Sequence, residues 1–202
     1  MDFDVLILGG GVAGMSCALI LGSAKDNSYA QNKEVGIIVH QKASDLQSAL
    51  LNNALGIDPG TSGDSVLKKG KKHLSESYPH VRQIEKEKVL EIGSNPFGYS
   101  IRTNKNTYNS TVLVLALGYS DLLHIKGLKP YIIPHQKAKA SKNRIQLKNN
   151  DHLVAPNLYV AGTLAGHRSQ FAIAAGSGAA VATDILTIWN GGQHTKVHDK
   201  LK

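Results

Sequence analysis

The chain predicts an α/β fold: a central parallel sheet, a small antiparallel β-meander beside it and a long C-terminal helix. Three observations carry this. The first is the apolar run Asp4-Val5-Leu6-Ile7-Leu8, which meets the glycine turn Gly9-x-Gly11-x-x-Gly14 and then the apolar stretch Met15 to Leu21. The second is another apolar run, Val35 to Val39, at the spacing a strand–helix–strand unit requires. The third is a pair of unbroken apolar segments, Thr111 to Gly118 and Pro156 to Gly162, each ending in glycine. Strands that read apolar without alternation belong in a parallel sheet covered on both faces.

The opening strand, turn and helix form a cradle for a dinucleotide pyrophosphate. Gly9 permits the sharp turn, Gly11 lets a phosphate approach the backbone, and Gly14 lets the helix lie close on the strand. The helix N-terminus offers unpaired N–H groups and partial positive charge to the anion. An acidic residue that would bind a ribose hydroxyl is missing at the end of the second strand, where His40 and Gln41 stand. His40 reads equally as a ribose contact or as a solvated strand-end histidine.

An irregular segment, Gln41 to Ser65, follows and contains Asp58-Pro59-Gly60 and Ser62-Gly63. Asp64 or Ser65 is placed to cap a helix from Val66 to Tyr78, with Val66, Leu67, Gly70, Lys71 and Leu74 on one face. The meander comprises Lys88–Ile92, Tyr99–Arg102 and Thr107–Tyr108, separated by turns at Asn95-Pro96-Phe97-Gly98 and Asn104-Lys105-Asn106. After the Thr111–Gly118 strand comes a lysine-rich stretch, 126–148, read as a solvated loop. The last helix runs from Ala172 to Trp189. The strand ends Gly9, His40, Gly118 and Gly162 converge on one sheet edge, where open parallel sheets hold ligands. Four separated segments there imply a long ligand lying across the sheet.

At 202 residues, 42% of them hydrophobic, the chain suits one domain over 1–190, followed by a polar, mobile tail over 191–202. No signal-peptide pattern and no apolar run of membrane-spanning length are read, so a cytoplasmic protein without a membrane role is expected. The run Phe171 to Trp189 carries Gly176, Ser177, Gly178 and Asp184 and reads as a buried helix. Cys17 is the only cysteine, which excludes an internal disulfide and an internal redox pair; it reads as a buried core residue. The net charge of +8 is concentrated in 126–148. No aromatic platform accompanies that stretch, so nucleic acid is not the expected partner. No carboxylate or cysteine pattern completes a metal site around the histidines, and no nucleophile elbow surrounds Ser16.

This order of elements resembles the FAD domain of the thioredoxin-reductase-like flavoproteins, within the glutathione-reductase-type fold. The likeness spans nearly the whole chain and is most specific at Gly9 to Gly14, at Ala116-Leu117-Gly118 and at Leu158 to Gly178, where Ala161-Gly162-Thr163 precedes an eight-residue loop and Ala172-Ile173. The resemblance implies a Rossmann-like FAD-binding domain. It assigns Gly9, Gly11, Val12, Ala13 and Gly14 to the FAD pyrophosphate and His40, Gln41 and Lys42 to the adenosine ribose. Val89 would meet the adenine through its backbone, and Ala116, Leu117 and Gly118 would line the adenosine side. Gly162 and Thr163 would contact the ribityl chain or pyrophosphate, and Phe171 and Ala172 would open a helix aimed at the flavin pyrimidine ring. Gly176, Gly178 and Ala179 serve either helix packing or flavin contact. Thr163 stands where the family has an aspartate.

The family's reductases carry an inserted nicotinamide-nucleotide domain, and bacterial thioredoxin reductases a C-x-x-C pair. Here about forty residues separate Gly118 from Leu158, with no second glycine fingerprint, so the resemblance is to a single-domain member with the basic loop (126–150) in that domain's place. His167, in the loop before the last helix, is the candidate for moving a proton at the flavin, and Arg168 for holding an anionic substrate; both also read as solvated loop residues. The expected function is an FAD-dependent oxidoreductase taking hydride or electrons from NAD(P)H, as a transient donor, or from a partner protein. A small-molecule or protein redox partner would dock at 126–148, and a homodimer is open. The alternatives are a non-catalytic flavin-binding or redox-sensing module, and an NAD(P)-binding domain without flavin.

Overall fold

The computed structural model describes residues 2–39, 46–120 and 124–198. In chain order the elements are β1 (Asp2–Leu8), α1 (Val12–Ser23), β2 (Val35–Ile38), β3 (Leu50–Leu51), β4 (Thr61–Ser62), α2 (Gly63–Ser77), β5 (Arg82–Ile84), β6 (Val89–Asn95), β7 (Gly98–Thr103), β8 (Thr107–Leu115), β9 (Ile132–Pro134), β10 (Ile145–Leu147), β11 (Leu153–Ala155), β12 (Leu158–Val160) and α3 (Phe171–Trp189). The main sheet runs β11–β12–β8–β1–β2–β5, with β6 and β7 attached beside β8. β1 pairs in parallel with β2 and β8, and β12 in parallel with β8, so the ends of these strands lie on one edge.

The sheet separates two cores. Val5, Ile7, Val112 and Val114 face α1 and α3, joined there by Cys17, Leu21, Val181 and Ile185. Leu6, Leu8, Leu113 and Leu115 face the opposite layer, built by Ile92 and Ile101 of the meander with Leu128 and Leu147. Both sets of side chains leave solvent, which accounts for the unbroken apolar reading of β1 and β8; each large one contributes about 1.5–3 kcal/mol by burial. Cys17 is fully buried, and burial pushes its thiol pKa upward, so it stays protonated and unreactive.

Several expectations are corrected. Thr107–Tyr108 and Thr111–Leu115 are one strand, not two: Thr107–Ser110 pairs antiparallel with β7, while Asn109–Leu115 runs parallel to β1. Burial along β8 alternates to Thr111 and is continuous from Val112, so the change of partner is written in the pattern. The helix α2 starts at Gly63, and its cap is Ser62, whose hydroxyl accepts the Ser65 N–H at 3.2 Å, rather than Asp64 or Ser65. A Cβ on Gly63 would lie 1.8 Å from the Leu46 carbonyl oxygen, so only glycine fits that start. The stretch 126–148 is not a solvated loop: β9 and β10 form an antiparallel hairpin, with Leu128 and Leu147 buried under the sheet and Lys126, Lys129, Lys137, Lys139, Lys142 and Lys148 exposed.

The reading that no apolar run reaches membrane-spanning length fails for α3, a 19-residue helix of mean hydropathy 1.6. In this fold it lies against α1, burying Val181, Ala182, Ile185 and Leu186. Gly178 makes the approach: its Cβ would stand 1.9 Å from the Ala13 carbonyl oxygen. Beyond α3, Thr195 is buried and Val197 packs on the core.

Candidate functional site

At the ends of β1, β8 and β12 lies a groove of about 310 Å3. Its floor and walls are Gly11, Val12 and Ala13 at the start of α1, Ala116 to Ser120 after β8, and Ala161 to Thr163 after β12. Ser169, Gln170, Phe171 and Ala174 come from the start of α3, and Leu46, Ala49, Leu50, Leu51 and Asn53 from the excursion before α2.

Two helix N-termini therefore open on the same space. Gly11 before α1 and Gln170 before α3 make no side-chain cap bond, and neither first turn carries an acidic residue. A helix start leaves four N–H groups without intrahelical partners and concentrates about half a positive charge, so a pair of such starts favours a ligand with two negative centres. The turn between β1 and α1 is built for close approach. Gly9 holds φ 116°, and a Cβ there would stand 2.4 Å from the Ala116 carbonyl oxygen; one on Gly14 would stand 1.8 Å from the Gly9 carbonyl oxygen. The cradle fits a pyrophosphate-bearing cofactor.

Of the residues singled out in the sequence, Gly11, Val12, Ala13, Ala116, Leu117, Gly118, Gly162, Thr163 and Phe171 line this one groove. Gly9 and Gly14 lie behind its wall and close the turn. Val89 is buried at the start of β6, and Ala172 is exposed on the first turn of α3; neither lines the groove. His40, Gln41 and Lys42 lie outside the described residues. Gly176 faces open space, whereas Gly178 packs on α1, so packing is the role of Gly178. The 46–53 wall was missed because its apolar residues follow no strand or helix period. Tyr119 and Ser120 follow directly from the strand-end rule once it is extended past Gly118.

His167 does not line the groove and Arg168 is exposed beside it. His167 turns back instead, its Nε2 3.2 Å from the Nε2 of buried His152. His152 Nε2 lies 2.9 Å from the Ser177 hydroxyl, which accepts the Gly162 N–H at 2.8 Å. Asp151 and His152 both adopt left-handed backbone, φ 45° and 71°, and this strained turn aims His152 at α3. The relay thus ties the Gly162 turn to α3 from behind.

Burial, then the neighbouring His152 and Lys137, push the His167 imidazole below its ordinary value of 6.5. The fold prefers the neutral ring while the unfolded chain takes up a proton near 6.5, so the stabilising term is full above that pH and is lost as pH falls through it. Denaturant melts at about pH 7.5 and about pH 5.5 are expected to show a stability loss on acidification that is smaller in His167→Asn. An equal loss in both proteins overturns this assignment.

The basic hairpin braces the other side. The Nδ1 of His135 accepts the Lys137 N–H at 3.1 Å, which leaves the ring proton on Nε2 to be donated to the Thr163 carbonyl at 3.1 Å. The Tyr119 ring meets His135 edge-on at 5.5 Å and carries the Arg144 guanidinium over its face at 4.5 Å. Tyr119 and Thr163, both on the groove, are therefore held by one hairpin.

Among the described lining residues Tyr119 alone is ionisable, and Ser120, Thr163 and Ser169 supply hydroxyls. No cluster of three His, Cys, Asp or Glu residues suited to a metal occurs among the described residues.

Comparison with solved structures agrees with this architecture. A thioredoxin reductase from Gloeobacter violaceus superposes with a TM-score of 0.72 at 15% identity, over 99% of this chain and 99% of that one. An oxidoreductase from Agrobacterium tumefaciens gives 0.70 at 16% identity, over 93% and 99%. A ferredoxin-flavin thioredoxin reductase from Clostridium acetobutylicum gives 0.67 at 16% identity, over 94% and 99%. These likenesses establish the fold. No curated protein sequence matches the chain. The sequence profile described as pyridine nucleotide-disulphide oxidoreductase matches residues 3–178, so the chain belongs to that family.

Proposed function

We propose that the groove binds FAD and that the protein is an FAD-dependent oxidoreductase. The observation that carries this reading is the convergence of two helix N-termini, neither with a side-chain cap, on a groove whose described lining holds Tyr119 as its one ionisable residue. The N–H groups of α1 would hold the pyrophosphate, with Gly162 and Thr163 beside it. The start of α3 would face the pyrimidine end of the flavin, where a positive helix terminus stabilises the anionic reduced form. Bound flavin supplies two-electron redox chemistry that no side chain here provides. The chain's own part is to hold the cofactor, exclude water along the apolar 46–53 wall and present one edge to a donor. That donor is NAD(P)H or a protein, attracted by the exposed lysines of 126–148.

The purified protein is expected to be yellow and to release FAD on denaturation. A colourless protein that takes up no FAD in calorimetry overturns the reading. The same lining also suits a redox-sensing module without turnover. Rapid mixing with NADPH separates the two, because only the enzyme is expected to bleach and then re-oxidise through repeated cycles.

A further inference from the structure

We infer that Arg144, stacked on the groove-lining Tyr119, is the phosphate receptor for the nicotinamide nucleotide that reaches this site. The inference rests on the groove being the flavin site and names what anchors the donor beside it. Arg144 is half-buried, yet it forms no ion pair or hydrogen bond to any acceptor among the described residues; its Nε is buried and unpartnered. A guanidinium with a buried, unpartnered nitrogen is ordinarily matched by a carboxylate, and its planar fork fits phosphate oxygens in pairs.

Among the described residues none supplies the missing anion. From His124 to Asn150 the chain holds no Asp or Glu at all, while six lysines of this stretch are exposed. Arg144 is also pre-positioned. Left-handed Asn143 (φ 45°) turns the chain into it, and its carbonyl accepts the His135 N–H at 2.9 Å. The next residue, Ile145, donates its N–H to the Tyr119 carbonyl at 3.2 Å. Tyr119 is held by Arg144 on its face and His135 at its edge, so the cation stays one side chain back from the groove wall. A fixed guanidinium beside a groove suits a small phosphate-bearing ligand, whereas an acidic protein would read the scattered lysines.

The test is calorimetric titration of the purified protein with NADP+, which binds without being consumed, after its flavin content has been read from absorbance. Arg144→Gln is expected to weaken NADP+ binding at least about tenfold, the scale of one lost charge-assisted bond, and Arg144→Lys to weaken it less. Inorganic pyrophosphate is expected to compete, and bound FAD to stay in place. Unchanged NADP+ affinity in Arg144→Gln overturns the assignment, as does absence of NADP+ binding by the parent protein or displacement of FAD by NADP+. Arg144→Met keeps the stacked stem and removes the charge; if it binds NADP+ like the parent protein while melting normally, the charge has no such role. A colourless preparation sinks the flavin reading by itself, and the Arg144 variants are then compared on that preparation for NADP+ binding alone.

Discussion

Gly178→Val is expected to eliminate cofactor uptake and to lower stability by about 3 kcal/mol or more, since overpacking against backbone has no soft neighbour to yield. The new Cβ would stand 1.9 Å from the Ala13 carbonyl oxygen and 2.8 Å from its carbon, so α1 and α3 must separate. Ala13 lies in the first turn of α1 and lines the groove, and Gly162 sits opposite, where a Cβ would be 3.1 Å from the Ala13 Cβ. Parting the helices therefore displaces both helix N-termini and the Gly162 turn together. For a chain of this size the melting temperature is expected to fall by roughly 2–4 °C per kcal/mol. Gly176→Ala is the control on the same helix. Its Cβ meets nothing within 4 Å, so it is expected to be neutral or to stabilise by about 0.5–1 kcal/mol through helix propensity, with cofactor content unchanged. Normal cofactor content in Gly178→Val would show that the groove does not depend on the contact between the two helices.

The legible parts of this molecule are those where one residue type answers one backbone demand. Gly9 and Gly14 announced the turn because no Cβ fits beside Ala116 or beneath the Gly9 carbonyl. The parallel strands were readable because β1 and the second half of β8 are buried on both faces. What stayed hidden depends on distant partners. The three-residue strands β5, β9, β10 and β11 are too short to show a period, and β9 and β10 exist because Leu128 and Leu147 find a place under the sheet. The lysines around them dominate the composition and conceal that core. His167 lies in the expected loop, but its direction follows from a left-handed turn at His152, which nothing in its own neighbourhood encodes.

Glu87→Leu is expected to destabilise the protein by about 1–3 kcal/mol at neutral pH while leaving cofactor content per folded molecule unchanged, because an orphaned buried donor costs about that much. The Glu87 carboxylate is buried and accepts from the hydroxyls of Thr103 at 2.6 Å and Tyr108 at 2.9 Å and from the Asn106 amide at 2.8 Å. Leucine fills much of the space and leaves all three without that acceptor. Burial pushes the carboxyl pKa up, but these bonds, with Lys105 nearby, outweigh it and hold it below the ordinary 4.5. A carboxylate lowered in the fold contributes stability that is full above 4.5 and lost as pH falls through its folded value. Urea unfolding from about pH 7 to about pH 3 is therefore expected to show parent and variant curves converging in acid. Curves that stay parallel would mean that the carboxylate is not what holds the meander. The groove is indifferent to this change for a structural reason: Glu87 and the donors around it line none of it, so the variant separates the stability of the sheet from the chemistry at its edge.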